Sequence, residues 1–170
     1  MKNYVPLRIF DSYTPILFKE NNSVMSKGRL CCSCSCKDFS IQYVGKLMKG
    51  IVGKISLYPS NENNLGITLS CNSCGKKLTL FDNRIDGYNA ITKGASSIKR
   101  FFPEETKALS CPKCSKNQFF VEVKYEHLLK SETEQEGIQD YRNAFQWIWA
   151  DLECSSCSKK LRSFLDIETG

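Results

Sequence analysis

The chain holds one histidine, His127, in 170 residues. That excludes any mechanism needing two imidazoles, such as a His-x-x-x-His metalloprotease site. Long apolar runs are also missing. Near the N-terminus the short clusters at Val5–Leu7 and Ile16–Phe18 are broken by Pro6, Arg8, Asp11 and Pro15. A secretory leader needs about 7–15 apolar residues in a row, and a membrane helix about 18 or more. The expected location is therefore the cytoplasm, with no membrane partner. Thiols stay reduced there. No P-loop, nucleophile elbow or Gly-x-Gly-x-x-Gly turn is present, so the common phosphate-binding and acyl-transfer sites have no counterpart.

Charge of one sign is also modest. The net charge is +6 and the pI about 8.8. The excess is uneven: residues 1–100 carry +9 and residues 101–170 carry −3. A basic half can steer an anionic partner, whether nucleic acid or an acidic protein. The acidic half would repel a phosphate backbone.

What is abundant is cysteine, at ten residues. They fall into four clusters: Cys31, Cys32, Cys34 and Cys36; Cys71 and Cys74; Cys111 and Cys114; Cys154 and Cys157. Each cluster contains a Cys-x-x-Cys pair, with Cys31 and Cys34 taken from the first. Between the pairs lie 36 residues (Cys34 to Cys71) and 39 residues (Cys114 to Cys154). The flanks repeat as well. Gly-Lys-Lys-Leu follows Cys74 and Ser-Lys-Lys-Leu follows Cys157, with Phe81 and Phe164 seven residues on. Leu69 and Leu152 stand two residues before their pairs. Phe39 and Ile41 follow Cys34 at the same offsets as Phe119 and Val121 follow Cys114. The pattern is an internal duplication of roughly 80 residues, and a repeat must be recognised before a fold is assigned.

Zinc geometry explains the spacing. Zn²⁺ takes four ligands tetrahedrally at ~2.3 Å from thiolate sulfur. A Cys-x-x-Cys turn presents two thiolates, and two such turns close the site. The expected ligands are Cys31, Cys34, Cys71 and Cys74 in one site and Cys111, Cys114, Cys154 and Cys157 in the other. Two Zn²⁺ ions are expected. Iron is the less favoured alternative, since tetrahedral S₄ sites accept both. Cys32 and Cys36 are left over: the repeat places Ser110 and Lys116 opposite them. They are expected to be spare thiols.

This arrangement resembles the zinc-ribbon (rubredoxin-like, Cys₄) family. The resemblance implies a mostly β fold of two tandem zinc-ribbon units, each a small antiparallel sheet closed by a Cys₄ site. The expected division is an N-terminal extension at 1–27 packing on the first unit, a ribbon at 28–91, a linker at 92–104 and a second ribbon at 105–170. Strands are expected at Phe39–Tyr43, Ile51–Tyr58, Leu65–Ser70 and Leu78–Phe81. Further strands are expected along Phe119–Tyr125, around Phe145–Leu152 and at Leu161–Leu165, with a short helical turn in residues 96–102.

Function is expected to be binding rather than catalysis. A catalytic zinc keeps an open position beside three protein ligands, whereas these sites are closed by four thiolates. A zinc deaminase pairs its Pro-Cys-x-x-Cys with an upstream His-x-Glu or Cys-x-Glu, which this chain lacks. Candidate contact residues are Lys76 and Lys77, beside the second knuckle, and the period-two trio Phe145, Trp147 and Trp149. Such a trio ordinarily packs inward; an exposed version would be a platform for bases or a protein partner. His127 is expected at the surface or as a cap, and the acidic run 131–140 as a solvated loop. The stretch Phe81-Asp82 to Gly87-Tyr88 and the C-terminal Asp166-Ile167-Glu168-Thr169 resemble zinc-ribbon immunity proteins of bacterial toxin loci. That resemblance implies a protein partner, a toxin, bound and blocked. Nucleic acid is the alternative partner; no small-molecule substrate is expected.

Overall fold

The structure, a computed structural model, describes residues 4–9, 11–20, 23–60, 64–92, 106–139 and 141–169. The expected turn at 96–102 lies outside them. The chain is mostly β, in the order β1 (Ile16–Glu20), β2 (Ser23–Arg29), β3 (Phe39–Val44), β4 (Lys46–Lys49), β5 (Ile55–Tyr58), β6 (Gly66–Cys71), β7 (Lys77–Asp82), α1 (Tyr88–Thr92), β8 (Lys107–Ala108), β9 (Phe119–Leu128), α2 (Lys130–Gln135), β10 (Trp147–Cys154) and β11 (Lys160–Glu168).

Each repeat contributes three antiparallel strands. In the first, β6 lies between β3 and β7; in the second, β10 lies between β9 and β11. Alternation decides the faces, because successive side chains on a strand point to opposite sides. Along β9, Phe119, Val121, Val123, Tyr125 and His127 are buried while the residues between them are partly exposed. The duplication persists in detail. Register shifts fall at Ile67/Thr68 in one repeat and at Ala150/Leu152 in the other. These are matching positions, each just before the leucine that precedes a cysteine pair.

The repeats are not two separate beads. β2, which leads into the first knuckle, pairs along its length with β9 of the second repeat. β8, which leads into the third knuckle, pairs with β3 of the first. The exchange is reciprocal at the hydrogen-bond level. Leu30 N–H donates to the Val121 carbonyl at 2.9 Å, and Leu109 N–H to the Ile41 carbonyl at 3.0 Å. Ile41 and Val121 are repeat equivalents. Phe39 and Phe119, also equivalents, pair directly with each other, as a local two-fold relation requires. Among the described residues the result is one nine-stranded sheet and one contiguous core that draws on both repeats.

The N-terminal extension was expected on the first unit. Its hairpin, β1 with β2, instead widens the second repeat's sheet. The physical reason is that β9 is ten residues long and offers a free edge beyond the reach of β3. Residues before the hairpin do touch the first repeat, through the Arg8–Asp86 ion pair. Where Ile51–Tyr58 was expected to be one strand, Ile51–Gly53 forms a 3-10 turn and only β5 is extended. Together β4 and β5 make a separate two-stranded sheet, which packs on β11. There Ser56 Oγ donates to the Ser163 carbonyl at 3.0 Å.

Candidate functional site

Every knuckle is built by backbone hydrogen bonds. In three of them the first cysteine's N–H donates to the carbonyl five residues on: Cys71 to Lys76, Cys111 to Lys116 and Cys154 to Lys159, each at 2.9 Å. The N–H of the residue four positions on returns to that cysteine's carbonyl: Gly75, Ser115 and Ser158, again at 2.9 Å. That residue takes a positive φ, of 72°, 60° and 58° respectively. Glycine adopts this region freely, whereas serine does so at a cost.

The first knuckle is one residue shorter. Cys32 N–H donates to the Cys36 carbonyl at 2.7 Å, and Ser35 N–H to the Cys32 carbonyl at 2.8 Å. Ser35 takes the positive φ, 68°. The loop therefore begins at Cys32, not Cys31. The resulting sulfur clusters are Cys32, Cys34, Cys71 and Cys74, and Cys111, Cys114, Cys154 and Cys157, each set with all sulfurs within 4.8 Å of one another. Cys31, expected as a ligand, is replaced by Cys32. Its N–H is drawn to the Ser12 carbonyl at 2.9 Å, and its sulfur lies 3.6 Å from the Cys32 carbonyl oxygen. A sequence signal for this existed. Leucine stands two residues before Cys71, Cys111 and Cys154, and in the first knuckle that spacing leads from Leu30 to Cys32. All four leucines are buried.

The sulfur separations fit a metal. Cys32–Cys74 and Cys34–Cys71 are 3.5 Å apart, Cys114–Cys154 3.5 Å and Cys111–Cys157 3.6 Å. Tetrahedral thiolates at ~2.3 Å from a common ion would be ~3.8 Å apart. A disulfide would need ~2.05 Å, and all ten cysteines are free. The donor set is all sulfur, which suits a thiophilic ion. Two Cys₄ sites that can hold a metal ion are thus present. In the metal-free protein, burial pushes the Cys71 thiol up, but the N–H groups of Cys74 and Ser73 outweigh it and bring it to about 6. Cys111 behaves alike: burial opposes the Lys113 and Cys114 N–H groups, which bring it to about 7. In each site the loop N–H groups thus favour the thiolate form of one cysteine.

The other candidates divide. Phe145 is fully buried, packed at 4.9 Å against Tyr125. Trp147 and Trp149 are not core residues. They are half-buried on the opposite face of β10 from Ile148, Ala150 and Leu152. Their rings stack at 5.2 Å and 7°. Trp147 Nε1 donates to Asp166 at 2.8 Å, and Lys124 Nζ stands 4.5 Å above the Trp149 ring. Phe18, 40% exposed, is 5.9 Å from the same ammonium. Lys76 and Lys77 are exposed at the start of β7, a strand that does not pair with β10.

His127, expected at the surface, is 1% exposed. Burial pulls it down to about 4, against a raising hydrogen bond from Nε2 to the Arg142 carbonyl at 3.0 Å. The first half of the acidic run, expected as a loop, is helix α2. The Phe81–Tyr88 stretch is structural: Arg84 pairs with Asp82 at 2.6 Å, Asp86 accepts from Asp82 N–H at 2.7 Å, and Gly87, at φ 86°, abuts the Thr169 side chain.

No protein-family model matches the chain, and comparison with curated proteins and with solved structures finds no match. Among the described residues, no helix is long and apolar enough to cross a membrane.

Proposed function

We propose that the chain is a non-catalytic protein-recognition module of zinc-ribbon type, with structural Zn²⁺ in both Cys₄ sites. Each site would be closed by four thiolates, with no position left for substrate. The observation that carries recognition is the stacked, half-buried pair Trp147–Trp149 on the outer face of an antiparallel sheet. Tryptophan is the residue type most enriched among interface anchors. Charges around the pair favour a protein over a nucleic acid. Trp147 pairs across strands with Glu126 and Glu168, and Trp149 with Asp166 as well as Lys124. Three carboxylates beside two rings would repel a phosphate backbone yet suit a partner with matching basic groups. The sequence resemblance implies that such a partner is a toxin, and we assign its contact to this face.

The test is affinity capture with the wild-type chain and a Trp147→Ala/Trp149→Ala variant, with zinc content measured on both. A defined protein partner should be retained by the wild type. Its affinity should fall about 30-fold or more in the variant, as loss of an anchor worth ~2 kcal/mol demands. Tight, steeply salt-dependent binding of mixed RNA or DNA, indifferent to the two tryptophans, would overturn the reading in favour of nucleic acid.

A further inference from the structure

The β4–β5 hairpin forms its own two-stranded sheet, apart from the sheet that carries Trp147 and Trp149. Its register pairs Lys46 with Tyr58, Leu47 with Leu57, Met48 with Ser56 and Lys49 with Ile55. Ile55 and Leu57 are buried in the core, and Leu47 packs against it. That anchors the hairpin and leaves its far end projecting. The turn at the tip is Gly50-Ile51-Val52-Gly53, and Ile51 is 92% exposed. Met48 and Tyr58 are 45% and 50% exposed. Lys46, Lys49 and Lys54 are exposed around them. No acidic residue occurs in the sequence between Asp38 and Glu62. A groove of about 500 Å³ runs beside the hairpin, lined by these three lysines with Met48, Ser56 and Tyr58 among others.

We propose that this hairpin is a docking site for an anionic lipid surface. The lysine groove takes a lipid phosphate headgroup, and Ile51, with Met48 behind it, enters the boundary between headgroups and acyl chains. Charge complementarity selects the anion: three lysines line the groove and its lining contains no carboxylate. The apolar tip selects the lipid. A phosphate backbone would satisfy the lysines but leave Ile51 in water, whereas a bilayer interface takes both, as basic amphipathic anchors do. The attraction is modest for one hairpin, so docking is reversible and sensitive to surface charge. This inference is independent of the protein-recognition reading.

The experiment is co-sedimentation of the full, zinc-loaded chain with two kinds of vesicle. One is pure phosphatidylcholine; the other is two parts phosphatidylcholine to one part phosphatidylglycerol. A parallel arm measures binding to a single-stranded RNA oligonucleotide. The chain should sediment with the anionic vesicles and stay in solution with the neutral ones. Replacing Lys46, Lys49 and Lys54 by Gln should weaken binding about fivefold per residue, the equivalent of ~1 kcal/mol each near an anionic surface. Ile51→Asn should weaken it roughly tenfold, the order of burying one aliphatic side chain. Zinc content and circular dichroism of each variant confirm folding; all four positions are exposed, and none is a ligand. Failure of the folded wild type to bind anionic vesicles overturns the proposal. So does lysine-dependent binding unaffected by Ile51→Asn, and so does RNA binding that outcompetes the vesicles.

Discussion

A single residue inserted or deleted inside a knuckle changes which sulfurs meet. In the shortened first knuckle Cys32 occupies the place that Cys71, Cys111 and Cys154 hold in theirs. Cys36 remains beside the site, with the Asp38 N–H directed at its sulfur at 3.4 Å, but outside the sulfur tetrad. The expected outcome of single substitutions follows. Cys32→Ser should reduce metal content from two ions per chain to one, because a structural zinc site contributes on the order of 10–16 kcal/mol and loses its closure with one ligand. Cys31→Ser and Cys36→Ser should each retain two. Metal analysis of the three purified variants checks this, and two ions retained by Cys32→Ser would return Cys31 to the ligand set.

At the scale of the element, β9 carries the most. One face closes the core and the other presents Lys124 to Trp149. It also accepts the exchanged strand β2. His127 sits on its buried face with Nδ1 unpartnered, between Tyr4, Tyr125 and Phe145. The cost is borne by the charged form. In the unfolded chain His127 takes up a proton below its ordinary value of 6.5; in the folded chain burial delays this to about 4. The unfolded state therefore binds more protons in that window, and stability falls as pH drops from about 6.5 toward 4. Above 6.5 both states are neutral and the effect vanishes. His127→Gln should remove this component, worth at most ~3 kcal/mol. Denaturant midpoints of the two proteins, which share all their thiols, should converge between pH 6.5 and 4; parallel midpoints would count against it.

For the whole molecule the decisive feature is the reciprocal exchange of lead-in strands. Neither repeat owns all the strands that complete its sheet, and the core is continuous across both. A chain built this way should unfold in one cooperative transition. Residues 28–91 expressed alone lack β9 and all but two residues of β2, the lead-in that β9 pairs with, and should fail to reach a native-like state even with zinc. Likewise Cys154→Ser, in the second site, should accelerate amide exchange in β2 and β3 as well as in β10. Hydrogen-exchange mass spectrometry reads this directly. Independent protection of β3, β6 and β7 in that variant would show two separable units instead.

The sequence alone determined the duplication, the mostly β character, the second sulfur tetrad in full and three of the four sulfurs in the first. Those properties are local. A tight turn imposes the cysteine spacing, and strand alternation imposes the apolar period. Cys32 was legible too, through Leu30 two residues before it, but only if the repeat is aligned on the leucine rather than on the Cys-x-x-Cys pattern. Only the tertiary structure decided that β2 and β8 cross to the opposite repeat, that Trp147 and Trp149 face water while Phe145 and His127 are buried, and that the Phe81–Tyr88 stretch meets Thr169. Period two fixes that Trp147 and Trp149 share a face, yet not which face is covered. That depends on what packs against the sheet, and the pairing partner of an edge strand is set by contacts far away in sequence, which no local pattern encodes.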